Sequence, residues 1–266
     1  MRLIIKLLNR TKRFFKHAFF LALTKVEKKD SSTSYAFNRI SKAGFFFPYI
    51  GWLNFDYRQL HNLHYGYSSC LLKKYTNEKA KALIKPSDTV IDCGAFVGGF
   101  SVAAMQCNAE RLISIEPSSK NYECLKLNIE AKKSKDVEII TLKMGLGQAK
   151  GSSKLNLSKS GCDDSFLTPD EGDLHTTEDV EIETIQNLIA EYSIDPKHLF
   201  LKVEAEGFEP EIIEGIGSVK PRVIAVDVTP ERDNESPREL ISGILKTKGY
   251  EHIYHTDRCL FATTST

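Results

Sequence analysis

The stretch from Thr89 to Phe100 limits the fold of this chain more than any other. It reads Thr-Val-Ile-Asp-Cys-Gly-Ala-Phe-Val-Gly-Gly-Phe. Val90 and Ile91 follow a turn signal, Lys85-Pro86-Ser87-Asp88, and a short β-branched run so bounded predicts a buried strand of a parallel sheet. Gly94, Ala95, Gly98 and Gly99 come next, then an apolar helical run from Phe100 to Met105. Strand, glycine-rich turn and helix form the layout that brings backbone N–H groups and a helix N-terminus up to a bound nucleotide. A second strand, Leu112 to Ile115, ends in Glu116. That carboxylate lies about twenty residues beyond the first glycines, the distance at which it reaches ribose hydroxyls.

The turn does not suit a dinucleotide. Ala95 stands close behind Gly94 where a further glycine would serve a pyrophosphate, and Asp92 at the strand end repels phosphate. A cationic, phosphate-free nucleoside fits better; a Rossmann-like turn that binds NAD, or nothing, is the alternative.

The βα alternation continues down the chain. Ser118 or Ser119 caps a helix that buries Tyr122, Leu125 and Ile129. Val137 to Leu142 is the third strand, closed by Met144 and Gly145, where an apolar side chain and bare backbone suit a flat base as well as they suit a plain turn. Residues 147–177 are polar, with a small hairpin strand at Lys154–Leu157, and Asp163, Asp164, Ser165 and His175 are their chemically capable members. Strands follow at Val180–Glu183, Leu199–Val203 and Val223–Val228, with helices after Thr184, around Pro210 and over Leu240, Ile241, Ile244 and Leu245. Tyr250–His255 and Cys259–Thr263 close the chain as an antiparallel hairpin. The expected fold is α/β and Rossmann-like: a seven-stranded, mostly parallel sheet with a C-terminal antiparallel hairpin and helices on both faces. Glu204 and Glu206 then stand at a strand end facing the same cleft as Asp92 and Glu116, with Asp227 near the next strand end.

Three regions are expected: a basic amphipathic helix over 1–30, an aromatic-rich extension over 31–84, and the α/β domain over 85–266. Arg2, Lys6, Arg10, Arg13 and His17 fall on one face of the first helix; Ile4, Leu8, Phe15, Phe19 and Val26 fall on the other, with Lys12 and Phe20 on the wrong sides. Its uncharged run is shorter than the roughly 20 residues that span a bilayer, and it lacks a signal-peptide pattern. The expectation is a cytoplasmic protein touching an anionic membrane peripherally, at the inner face, through residues 1–29. A helix packed on the domain, or a partner-binding segment, is the alternative. Asp30 to Tyr35 reads as a linker, and Asn77 to Leu83 as a short helix. The aromatics between Phe37 and Tyr67, Trp52 among them, pack over a domain edge or line an acceptor pocket. His61 and His64 have no third ligand nearby, so no metal is expected. Six scattered cysteines read as free thiols. A net charge of +1 gives no field that would gather nucleic acid, and none is expected as partner.

Between roughly Asp88 and Thr229 the chain resembles the FkbM family of S-adenosylmethionine-dependent methyltransferases. The resemblance rests on Val-Ile-Asp-Cys-Gly-Ala-Phe-Val-Gly-Gly, on Ile115-Glu116-Pro117, and on Leu201-Lys202-Val203-Glu204-Ala205-Glu206-Gly207-Phe208-Glu209. The family shows Lys-Ile-Asp-Val-Glu-Gly in the last segment, so Glu204 here replaces an aspartate. The resemblance implies S-adenosylmethionine as cofactor, with Asp92, Gly94, Ala95 and Gly98 around its methionine part, Glu116 on the ribose, and Met144 and Gly145 beside the adenine. It also implies methyl transfer to a hydroxyl of a sugar, glycan, glycolipid or related small molecule. A sulfonium methyl is already activated, so the protein aligns the acceptor and supplies a base. Glu204 and Glu206 are the candidates for that base, with Asp227 and His175 in reserve. An RNA or protein acceptor, or a cofactor-binding module without turnover, are the alternatives.

Overall fold

The computed structural model describes residues 15–51, 55–133, 136–167, 173–232 and 235–264. Residues 1–14 of the expected amphipathic helix, and Trp52, lie outside the described residues. Residues 15–23 are helical (α1), and the chain then enters an antiparallel sheet of β1 (Thr24–Lys28), β2 (Thr33–Asn38) and β3 (Gly44–Pro48). The expected helix therefore stops short of Lys29, and Val26 pairs with Ala36 across a strand ladder. Thr24 closes the helix by donating its hydroxyl to the Phe20 carbonyl at 2.8 Å, and the β-branched pair Thr24 and Val26 favours extension. Asp30 to Ser32 form a hairpin turn rather than a linker, since Asp30 Oδ1 accepts from the N–H groups of Ser32 and Thr33.

Two helices follow, α2 (Tyr57–Tyr65) and α3 (Tyr67–Tyr75), hinged at Gly66. Asn77 to Leu83 is a bridged turn, not a helix; Asn77 pairs with Ala82, and its side chain accepts from the Ala80 N–H.

The central sheet has the order β12-β13-β11-β10-β4-β5-β6. Its strands are β4 (Thr89–Cys93), β5 (Arg111–Ile115), β6 (Glu138–Leu142), β10 (Leu199–Val203), β11 (Val223–Asp227), β12 (His252–His255) and β13 (Cys259–Thr263). All pairs are parallel except those of β13, which runs antiparallel to both β11 and β12. This is the seven-stranded, mostly parallel sheet with an antiparallel C-terminal pair that the sequence predicts. The helices α4 (Gly99–Gln106), α5 (Ser119–Lys132), α6 (Ile185–Glu191), α7 (Glu209–Glu214) and α8 (Arg238–Thr247) connect the strands. A side ribbon of β7 (Gly145–Leu146), β8 (Gly151–Ser158) and β9 (Asp173–Glu183) is inserted after β6.

Strand alternation divides the core in two. Ile91, Ile113, Leu201 and Ile224 face α6, α7 and α8, burying Leu188, Ile212 and Ile241. Val90, Leu112, Phe200 and Val223 face α4 and the N-terminal extension, with Phe45, Phe47, Leu60, Tyr75 and Phe100 in the same cluster. The aromatic extension thus completes one face of the sheet. Asn128 of α5 fastens it: its amide exchanges hydrogen bonds with the Phe46 backbone at 2.8 and 2.9 Å and donates to the Val97 carbonyl at 2.8 Å. In α8, Leu240 is 56 % exposed rather than buried; Ile241 and Leu245 carry the packing.

Between β4 and α4 the chain crosses the tip of β10. Gly94 has φ +70°, and a Cβ there would lie 1.7 Å from the Glu204 carbonyl oxygen. Gly94→Ala should therefore destabilise the protein by about 3 kcal/mol or more in chemical denaturation. Gly243→Ala, on α8 with open space around it, should instead stabilise by about 0.5–1 kcal/mol.

Candidate active site

The strand order reverses between β4 and β10, and a cavity of about 1100 Å³ opens there at the carboxyl ends of the strands. Its floor is the turn after β4 and the tips of β5, β10 and β11. Its walls come from α2, α3, the segment 161–166 beyond β8, and the segment 229–231 beyond β11.

The floor rests on one polar layer. Asp92, Lys202 and Asp227 occupy the same sheet face as Val90, Phe200 and Val223, two residues at a time along their strands. Lys202 Nζ lies 3.0 Å from Asp92 and 3.5 Å from Glu204, and donates to the carbonyls of Cys93 and Gly94 at 3.1 and 2.7 Å. Lys74, reaching in from α3, pairs with Glu204 at 2.6 Å and also with Asp227. Two buried ammoniums are thus shared among three carboxylates. Removing any partner would strand a charge at a cost of several kcal/mol.

Asp92 does not face the cavity, contrary to expectation. It is fully buried, held by Lys202 and by the Ser101 hydroxyl at 2.6 Å, because period-two alternation points it toward α4 with Val90. It acts behind the wall, anchoring the lysine that grips the turn. Gly98 also lies outside the cavity lining; its missing side chain makes room for Leu125, where a Cβ would lie 2.7 Å away. Gly94, Ala95, Glu116, Met144 and Gly145 do line the cavity. Gly145 leaves room for Phe166, whose ring a Cβ would meet at 2.5 Å.

Glu116 is the best-held group on this side. Its carboxylate accepts from the N–H groups of Phe96 at 2.8 Å and Ser118 at 3.0 Å, and from the Asn121 amide at 3.4 Å. Burial nonetheless pushes its pKa up to about 7 against these donors. The Asn121 amide nitrogen faces two acceptors, Glu116 and the Gly161 carbonyl at 2.8 Å, so its other atom must be the oxygen. That buried Oδ1 has no hydrogen-bond partner among the described residues. Adjacent acceptors that call for donors suit a vicinal diol.

Across the cavity the acids separate into two kinds. Burial would raise Glu204, but Lys74 and Lys202 outweigh it and hold the carboxylate well below the usual range. Glu206, with Glu231, Asp163 and Glu204 around it and Arg58 the compensating cation, is pushed well above that range by burial and then by these charges. Glu231 is raised to about 9, chiefly by burial and by Glu209. Its carboxylate accepts from the Thr229 hydroxyl at 2.7 Å. His175 takes no part: it sits exposed on β9, outside the cavity lining, carried outward by the β8–β9 ribbon.

The Methyltransferase FkbM domain model matches residues 92–252, more than half of the chain. The protein belongs to the FkbM methyltransferase family. It is accordingly an S-adenosylmethionine-dependent methyltransferase. No curated protein matches the sequence. Similar solved structures include magnesium protoporphyrin IX methyltransferase from Synechocystis PCC 6803 with bound S-adenosylmethionine, at 14 % identity over 80 % of this chain and 85 % of that one, TM-score 0.46. Precorrin-6y C5,15-methyltransferase from Geobacter metallireducens is similar at 14 % identity over 74 % and 88 %, TM-score 0.39. An Aquifex aeolicus methyltransferase is similar at 14 % over 73 % and 87 %, TM-score 0.37.

The donor set fits this cofactor. Glu116 and the orphaned Asn121 oxygen would take the ribose hydroxyls, and Met144, Ile115 and Phe166 would flank the adenine. When bound, S-adenosylmethionine supplies an activated methyl group. The residues that sequence reasoning missed are Lys74, Lys202, Asn121, Phe166 and Glu231. Lys202 carried a legible signal, a cation inside an otherwise apolar strand, which demands a buried partner. Glu116 accepts from the Phe96 and Ser118 N–H groups and would accept from a ribose hydroxyl as well, which favours the ionised form, so affinity for S-adenosylhomocysteine should weaken as pH falls below about 7. Calorimetry should show this bend, and Glu116→Gln should bind at least about tenfold more weakly and flatten it.

Proposed function

We propose that the protein transfers the methyl group to a hydroxyl of a sugar, glycan or glycolipid. The observation that carries this reading is the division of the acids across the cavity from Glu116. Glu204 and Asp227 are neutralised by Lys74, whereas Glu206 and Glu231 are raised and free of any lysine pair among the described residues. Carboxyl groups of this kind accept hydrogen bonds from hydroxyls and take up a proton at a useful pH. S-adenosylmethionine, when bound, would supply the methyl group to the acceptor oxygen, and Glu206 or Glu231 would take up the proton that the hydroxyl gives up. His61 and Tyr65 at the rim offer aromatic surface for a sugar ring.

The base must be ionised and its pKa is raised, so kcat should climb as pH rises above neutral, levelling at about 9 where Glu231 is the base. Glu206→Gln should lower kcat by about a hundredfold or more while S-adenosylhomocysteine binds within about threefold of the wild type. The substrate class is tested by supplying labelled methyl donor with saccharide, glycolipid, RNA and protein fractions. Label entering RNA or protein in place of the carbohydrate fractions would overturn the reading.

A further inference from the structure

The helix α1 buries Phe20 and packs Leu21 against the core, yet leaves a second apolar side uncovered. Its inward side carries Phe20, 4 % exposed, and His17, whose ring nitrogen lies 3.0 Å from the Phe55 carbonyl. Its outward side carries Phe15, Ala18, Phe19 and Ala22, all exposed, with Phe15 at 66 % and Phe19 at 56 %. Those positions are spaced i, i+3, i+4, i+7, which is one continuous apolar stripe on a helix. In sequence the stripe extends upstream through Leu8 and Ile4 at the same spacing. A soluble domain gains nothing by displaying a phenylalanine stripe, so the stripe marks a contact surface.

Charge identifies the occupant. Residues 1–29 hold nine lysines and arginines against Glu27 alone, while the rest of the chain is net −7. Lys16 stands exposed on the flank of the stripe. Apolar residues along one line with cations beside them match a surface that is oily below and anionic above. We propose that α1 lies in the headgroup region of an anionic lipid bilayer, its Phe15–Phe19 stripe sunk to the acyl boundary.

The same surface adjoins the cavity. The Phe19 ring meets His64, which meets Tyr65 with ring centroids 4.7 Å apart, and Tyr65 is 62 % exposed while lining the cavity rim. Ile40, 73 % exposed, stands on the turn after Asn38, whose amide nitrogen lies 3.1 Å from the His64 ring. A protein seated on α1 therefore presents the mouth of its cavity near the bilayer. That placement suits a lipid-linked glycan, a consequence that rests on the acceptor reading above, whereas docking itself does not.

The test is co-sedimentation of the full chain with vesicles, read without turnover. Phosphatidylcholine vesicles containing phosphatidylglycerol should bind it at least about tenfold more tightly than phosphatidylcholine alone, and high salt should abolish the difference. Phe15→Ala/Phe19→Ala should weaken anionic-vesicle binding by about tenfold or more while S-adenosylhomocysteine binding is unchanged. If that variant loses cofactor binding, Lys16→Glu/Lys25→Glu, at two exposed positions, should produce a loss of similar size. No binding to anionic vesicles, equal binding to neutral ones, or unaltered binding by the variants overturns the proposal. A concentration-dependent dimer abolished by the double phenylalanine variant, without vesicle binding, overturns it in favour of a second copy of the chain.

Discussion

Lys202 is 2 % exposed in the middle of a sheet whose neighbouring strands are apolar, and its ammonium touches Asp92, Glu204 and two backbone carbonyls of the turn after β4. An ion so placed loses hydration worth several kcal/mol and regains it only if every partner is held in position. The demand runs both ways. Lys202 fixes the path of Cys93 and Gly94, and these residues begin the cavity wall. Asp92 keeps the lysine charged, and the Ser101 and Ser114 hydroxyls extend the polar layer to α4 and β5. One buried pair thus joins four structural elements at the point where the sheet order reverses.

The consequences reach the chemistry through charge balance. Three carboxylates meet at the tips of β4, β10 and β11, and two lysines neutralise most of their charge. Glu206 and Glu231 stand beyond that arrangement, so their environment raises rather than lowers them. The same cavity holds one set of acids paired with lysines and another raised by burial. On the cofactor side, Glu116 is clamped by backbone N–H groups and by Asn121, and Phe96 adopts φ 51° to make its part of that clamp. A strained residue held by a functional carboxylate fits a site built before its ligand arrives.

The sheet, its order-reversing crevice and Glu116 were legible because strand, glycine turn and helix leave a local signature. Asp92 was readable too, but only by parity: two residues from Val90 on a buried strand, it had to point the same way. Lys74 was not readable, since 130 positions separate it from Glu204 and nothing in α3 marks it. Phe166 is a single aromatic in a polar connection, and only the absent Cβ of Gly145 reveals its place. The N-terminal helix was overextended because amphipathic spacing ran past Thr24, where a hydroxyl-to-carbonyl bond and β-branching start a strand. His175 sits on a ribbon whose register, which no residue pattern discloses, carries it away from the cavity.

The Asp92–Lys202 pair holds the cavity floor from behind. Calorimetric titration of S-adenosylhomocysteine into Asp92→Asn, Lys202→Met and the double variant tests it most directly. Each single change should weaken binding about tenfold or more, and the double change should weaken it no further than the worse single one. Binding untouched by Lys202→Met, or losses that simply add in the double variant, would contradict it.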